Sequence, residues 1–249
     1  MRFSTGAVRD YIPNGCGGPD LPKTIDEARA FAAIFIQAGH QLFSHWENTD
    51  VWGSDFRDGA GRDLEPQGGS DLVEMYLFAG HGSCQANPTA TTPDFLLACS
   101  PTGTPNTVTA GTEIRWGNAR NGLQYAVIDA SCPMDLVSIQ NSWFPVFQGL
   151  HVALGHSGTV NADARDSADR GFLFAIYAAG GFGFFPHQSV GDSWMDAGTA
   201  DIQPGCSAVA LAAGTSREDA IWRRDQETIG VHSTFNFVPA WFAWKWRTA

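Results

Sequence analysis

Two apolar segments of the chain each close on a reactive side chain. His81 ends the run Met75-Tyr-Leu-Phe-Ala-Gly-His and is followed by Gly82, while Cys132 ends the run Tyr125-Ala-Val-Ile-Asp-Ala-Ser-Cys, 51 positions later. An imidazole beside a thiol makes a nucleophile with its base: the ring takes the thiol proton or pairs with the thiolate, and the thiolate is the form that attacks carbon. Gly82 would let a substrate approach the main chain. The N–H groups of Gly82 and Cys132 are candidate donors to the oxyanion of a tetrahedral intermediate.

The elements that must position them follow from the same runs. Each is short, apolar and rich in aromatic and β-branched residues, the pattern of a strand buried on both faces of a parallel sheet. Two adjacent parallel strands would deliver both side chains to one sheet edge, where open α/β sheets bind ligands. His151-Val-Ala-Leu-Gly155 and Ser207-Ala-Val-Ala-Leu-Ala-Ala-Gly214 read as further interior strands. Between them Ser167–Gly180 reads as a helix opened by Ser and closed by Gly, and a short amphipathic piece lies around Asp192. Ser138–Phe147 reads as a short helix, and the aromatic tail from Phe235 as an edge or capping segment.

Thr24-Ile-Asp-Glu27 reads as a capping box that opens a helix ended by Gly39. Residues 1–23, rich in Gly, Pro and Asn, read as an irregular lead-in to one domain spanning 24–249. Strands alternating with helices predict an α/β fold, a three-layer α/β/α sandwich around a mostly parallel sheet. The polar stretch from Ser83 to Arg120 leaves directly from the His81 strand end and would hang over the site.

Composition narrows the function. The chain has 249 residues, 43% of them hydrophobic, enough for one continuous core. Its formal net charge is -11, with 15 Lys+Arg against 26 Asp+Glu and no basic run to track a phosphate backbone, so no nucleic-acid partner is expected. The first ten residues lack an apolar signal core and no stretch reaches membrane-spanning length, so no membrane partner is expected. Five cysteines, an odd number without a C-x-x-C pair, match neither a disulfide framework nor a zinc ribbon. A reduced, cytoplasmic setting is expected, with no cofactor and no resident metal.

The His-Gly and small-Cys pattern at the ends of two hydrophobic runs resembles the signature of the caspase-like cysteine peptidases of clan CD, which include legumain, clostripain and the gingipains. Phe78-Ala-Gly-His-Gly, Ala130-Ser-Cys, Trp143-Phe-Pro-Val-Phe-Gln-Gly-Leu-His-Val-Ala-Leu-Gly-His and Asp192-Ser-Trp are similar, more closely, to an uncharacterised and largely bacterial family of caspase-like domains. The resemblance covers roughly residues 24 to 215. It implies a caspase-like sandwich, a catalytic dyad on His81 and Cys132, and a peptide or protein substrate. The chain departs from the caspase pattern Gln-Ala-Cys-Arg-Gly: Ser131 precedes and Pro133 follows the cysteine, so caspase specificity does not carry over.

Other residues near the strand ends are candidates for the substrate pocket: Asp129 and Asp135 to orient an imidazole or meet a basic substrate residue, His156 and Ser157 to line the pocket. Cys84, three residues past His81, could inhibit the dyad by oxidation. Three rival readings stand beside the cysteine enzyme. Gly155-His-Ser157-Gly158 imitates half a nucleophile elbow, and with Asp192 or Asp201 and His232 it would make a serine hydrolase. His81, Cys84, Cys132 and His156 could bind a metal, at a spacing that matches no standard zinc signature. The chain could also be a caspase-like scaffold that binds a partner without catalysis.

Overall fold

The computed structural model describes residues 1–14, 18–57, 69–83, 94–99, 105–118, 122–135, 139–160, 167–180, 187–199, 205–230 and 238–248. In chain order the elements are β1 (Arg2–Ala7), α1 (Thr24–Gln37), β2 (Gln41–Glu47), β3 (Met75–Ala79), β4 (His81–Gly82), β5 (Asp94–Cys99), β6 (Pro105–Thr109) and β7 (Tyr125–Asp129). They continue with β8 (Val152–Ser157), α2 (Ser167–Ala179), α3 (Val190–Thr199), β9 (Ser207–Gly214), α4 (Arg217–Gln226) and β10 (Trp241–Thr248). Seven strands form one sheet in the order β10-β9-β8-β7-β3-β1-β2, and β4-β5-β6 form a small antiparallel sheet. The five strands from β8 to β2 are parallel, and β9 and β10 each run antiparallel to the neighbour before them. The mixed α/β sandwich with a mostly parallel sheet is therefore observed.

Burial on both faces explains why β3 and β7 are readable as strands. Met75 and Leu77 with Tyr125 and Val127 point to one face, where α1, α2 and α3 cover them with Ile25, Phe31, Phe174 and Trp194. Tyr76 and Phe78 with Ala126 and Ile128 point to the other, under Trp116 and Trp143. Each such side chain contributes about 1.5–3 kcal/mol when fully buried, so neither face can carry polar residues freely. The second face is covered mostly by irregular chain. The helix expected at Ser138–Phe147 is a π-helical turn, Ile139–Trp143, followed by a 3-10 turn, Phe144–Val146.

Part of the expected lead-in is not irregular. Residues 2–7 form β1, an interior strand between β3 and β2. Its Phe-Ser-Thr-Gly-Ala sequence lacks an apolar signal because the polar side chains are satisfied from β2: Ser44 donates to the Ser4 hydroxyl at 2.8 Å, and Thr5 pairs with His45. A Cβ on Gly6 would meet the Tyr76 hydroxyl oxygen at 2.2 Å, so a small residue is required there.

The expected capping box is also different. Thr24 is already helical, and its hydroxyl donates to the carbonyls of Val8 (2.9 Å) and Leu21 (3.1 Å) rather than capping the helix. Glu27 is thereby released from a capping role and is buried. The tail is an edge strand, β10, as expected. At the opposite end of the sheet from the site, buried His151 lies 2.6 Å from Glu227, which also accepts from the Tyr125 hydroxyl at 3.1 Å. That ties α4's exit to β7 and β8. Among the described residues no helix is long and apolar enough to cross a membrane.

Candidate active site

The strand order sets the place of the site. From β1 the chain crosses through α1 to β2 on one side, then returns past β1 to β3, β7 and β8 on the other. Order reverses between β1 and β3, and the crevice outside the carboxyl ends of such strands is where α/β sheets bind ligands. A cavity of about 230 Å³ lies there, bounded by Pro19, Asp20 and Leu21, by Gly80 and His81, by Asp129 to Ser131, by Thr159 and Val160, and by Glu27 and Arg170 from the first turns of α1 and α2.

His81 stands at this crevice, held by the connection between β1 and α1. Its backbone N–H donates to the Tyr11 hydroxyl at 2.9 Å, the Tyr11 ring lies against the imidazole with centroids 4.4 Å apart, and Nε2 sits 2.8 Å from the Pro19 carbonyl. A carbonyl only accepts, so in the neutral ring Nε2 carries the proton and Nδ1 is left as the basic nitrogen. The β3 and β7 ends are joined by a 3.1 Å bond from the Gly80 N–H to the Asp129 carbonyl. Gly82 passes directly over Ser131: a Cβ there would lie 2.1 Å from the Ser131 carbonyl oxygen. The tertiary fold thus sets Gly82, next to His81, against Ser131, next to Cys132.

Cys132 has a left-handed backbone, φ 58°, which is uncommon for a residue other than glycine and is a form of strain found at functional sites. Two features differ from the sequence expectation. Its backbone N–H donates to the Gly158 carbonyl at 2.9 Å, so the proposed oxyanion donor is engaged in extending β7 along β8. Its sulfur is in a disulfide bond with a cysteine whose side chain lies outside the described residues, in place of the free thiol expected. Cys84 lies outside the described residues.

Beneath the cavity lies a buried ionic cluster. Arg170 grips Asp129 with two bonds, Nε to Oδ2 at 2.7 Å and Nη2 to Oδ1 at 3.2 Å, both residues being almost fully buried. Burial works to raise the Asp129 carboxyl, but the Arg170 guanidinium, with hydrogen bonds from His156 and Glu27, outweighs it and holds the group well below the carboxylate range. Glu27 goes the other way. Burial, then the charge of Asp129 and a hydrogen bond to it, raises its carboxyl well above the usual range, so the pair shares a proton with Glu27 as the acid. A Cβ on Gly171 would stand 2.6 Å from Glu27 Cγ and 2.8 Å from its carbonyl oxygen, so α1 and α2 meet this closely only because that residue is glycine.

The pocket candidates separate accordingly. Asp129 lines the cavity. His156 does not: it lies fully buried behind Asp129, Nε2 3.2 Å from Oδ1 and against the Trp194 ring, and burial lowers its pKa so that it stays neutral. Ser157 alternates away from it and pairs with Ser207 on β9, and Asp135 is exposed on the turn beyond Met134; neither lines the cavity. For the serine-hydrolase reading, Asp192 is held by Lys245 at 2.6 Å and by the Ser189 hydroxyl at 2.9 Å, while Asp201 and His232 lie outside the described residues. Among the described residues no group of three or more His, Cys, Asp or Glu is arranged to hold a metal ion.

Sequence reasoning missed Glu27 and Arg170. The available signal was a charged residue on the apolar face of each helix, Glu27 beside Ala28 and Phe31 and Arg170 one turn before Phe174; charges so placed are rarely left unpaired.

The family described as "Domain of unknown function (DUF6345)" matches residues 7–234, which include His81, Cys132 and the whole ionic cluster. The chain belongs to the DUF6345 family. No curated protein matches it. Among solved structures, this DUF6345 chain is similar to protein GSU0716 from Geobacter sulfurreducens, at 12% identity and a TM-score of 0.48 over 91% of this chain and 98% of that one.

Proposed function

We propose that this domain is a caspase-like cysteine peptidase, or a peptide-processing acyl transferase, with Cys132 as nucleophile and His81 as base. The observation that carries the reading is the pairing of β3 with β7 in register, Ala79 opposite Asp129, with Gly82 against Ser131: it brings an imidazole with a basic Nδ1 to the end of the strand before a backbone-strained cysteine. The nucleophile becomes available when a dithiol reductant cleaves the Cys132 disulfide and is itself oxidised. His81 then takes the thiol proton, the thiolate attacks the peptide carbonyl, and the Gly82 N–H meets the oxyanion. Collapse expels the amine, which leaves with the proton from His81, and water or a second amine resolves the acyl-enzyme. A reducing, cytoplasmic compartment would keep Cys132 in its thiol form.

A second reading has its own support. The disulfide and the engaged Cys132 N–H both suit a non-catalytic scaffold in which Cys132 braces the fold. One experiment separates the two: intact-mass measurement after reduction and treatment with a panel of peptidyl acyloxymethyl ketones, on wild type, Cys132→Ala and His81→Ala. The enzyme reading expects one adduct on wild type, none on Cys132→Ala and a much slower adduct on His81→Ala. Absence of any adduct on reduced wild type favours the scaffold, and an adduct that survives Cys132→Ala removes Cys132 as nucleophile.

A further inference from the structure

We propose that the cavity beside His81 is a receptor for a cationic side chain, lysine or arginine, and that the Glu27 carboxyl is the group that meets it. That the cation belongs to a peptide substrate rests on the cysteine-peptidase reading; the receptor itself does not.

Size and charge point the same way. At about 230 Å³ the cavity is smaller than the roughly 300–1,000 Å³ of sites for drug-sized ligands, and suits a single side chain. Among the described residues three carboxyls line it, Asp20, Glu27 and Asp129, against one guanidinium, and that guanidinium is already held by Asp129 through two bonds. An anionic side chain would therefore meet net negative charge.

Glu27 supplies an independent sign of a ligand. It is 1% exposed and lines the cavity, yet its Oε1 has no hydrogen-bond partner among the described residues. The polar group that reaches its carboxyl is another carboxyl, Asp129. The shared proton and Arg170 satisfy Asp129, which leaves Glu27 Oε1 to accept from a cation; an apolar side chain would leave that oxygen unanswered.

Entry of an ammonium or guanidinium converts the protonated Glu27 to a carboxylate paired with the cation, and the displaced proton goes to solvent. Binding of the cation should then strengthen as pH rises toward the folded pKa of Glu27, by up to about tenfold per pH unit. The groups facing Glu27 are Asp129 from β7, Arg170 from α2, Asp20 from the connection after β1, and His81 at the rim, with buried His156 behind Asp129. Arg170 and Asp129 keep their charges across neutral pH, so the proton released is assigned to Glu27 by comparison with Glu27→Gln.

The test is calorimetric titration of the full chain carrying Cys132→Ala with N-acetyl methylamides of lysine, arginine, norleucine, glutamine and aspartate, from about pH 6 to about pH 8. Runs in buffers of different ionisation enthalpy count protons. The lysine or arginine probe should bind about 10- to 100-fold more tightly than norleucine or glutamine, with proton release wherever the pH lies below the folded pKa of Glu27. Glu27→Gln should remove both the preference and the proton release, and Glu27→Asp, which keeps the charge on a shorter stem, should retain part of the preference. Equal or tighter binding of norleucine, glutamine or aspartate, or a lysine preference untouched by Glu27→Gln in a variant that melts cooperatively, overturns the proposal. Cation binding without Cys132 labelling in the wild type would sink the peptidase reading and leave the receptor. Labelling that shows no cation preference would sink the receptor and leave the peptidase.

Discussion

Asp129→Asn tests the ionic cluster that the fold builds under the site. The substitution keeps the volume and one acceptor but removes the charge that holds Arg170 at 2.7 and 3.2 Å. Breaking a buried pair by removing one partner costs about 3–5 kcal/mol, because the remaining charge is left uncompensated. That is a large share of the roughly 5–15 kcal/mol by which a domain is stable, and at about 2–4 °C per kcal/mol for a chain this size it corresponds to a drop of roughly 6–20 °C in Tm.

Glu27 sharpens the expectation. In wild type, Asp129 helps to hold Glu27 protonated; once Asp129 is neutral, Glu27 ionises more readily and can pair with Arg170. The loss should therefore be smallest near neutral pH and grow as pH falls and Glu27 takes up its proton. In Glu27→Gln/Asp129→Asn this rescue is absent, so the loss should be larger and nearly independent of pH. Urea unfolding followed by tryptophan fluorescence, with nine tryptophans as reporters, measures both. An Asp129→Asn protein within about 1 kcal/mol of wild type across this range, or a loss unchanged by adding Glu27→Gln, would refute the reasoning.

Three further outcomes are expected. Glu27→Gln alone should stabilise the free protein at neutral pH: with the folded pKa raised, the native state binds the extra proton above the ordinary value of 4.5, so wild-type stability falls as pH rises from there through the folded pKa. The gain should grow by at most about 1.4 kcal/mol per pH unit in that window and vanish below it, as read from melts across pH. Gly82→Ala should cost about 1–3 kcal/mol and abolish labelling of Cys132, since the added Cβ meets the Ser131 carbonyl oxygen at 2.1 Å and backbone must move; a variant with wild-type stability and labelling would contradict the contact. Cys206, buried and with its thiol pushed up to about 11 chiefly by burial, should resist iodoacetamide at mildly alkaline pH until the protein is unfolded. Mapping the alkylated peptide before and after denaturation checks this.

What could be read from the chain follows from how each element is buried. Residues 75–79 and 125–129 are covered on both faces, so selection leaves continuous apolar runs that announce strands. Residues 3–7 are just as buried, but Ser4 and Thr5 are tolerated because Ser44 and His45 answer their hydroxyls, a pairing that exists only once β2 is in place. α4, which the sequence pattern left unassigned, is largely polar; its Ser216 cap, accepting from the Asp219 N–H at 3.1 Å, was the local sign.

The same division runs through the site. That a histidine and a cysteine follow two interior strands was legible in the chain, because strand burial and a reactive terminal residue are both local properties. The tertiary structure decided what surrounds them: the Pro19 carbonyl that orients His81, the Gly158 carbonyl that engages the Cys132 N–H, and the disulfide on Cys132. It also turned Glu27, a plausible helix cap by spacing, into an acid facing Asp129 and Arg170 across a cavity. Those outcomes depend on which first turns and strand ends converge, and residues 27, 129 and 170 are brought together only by the closing of α1 and α2 over the sheet.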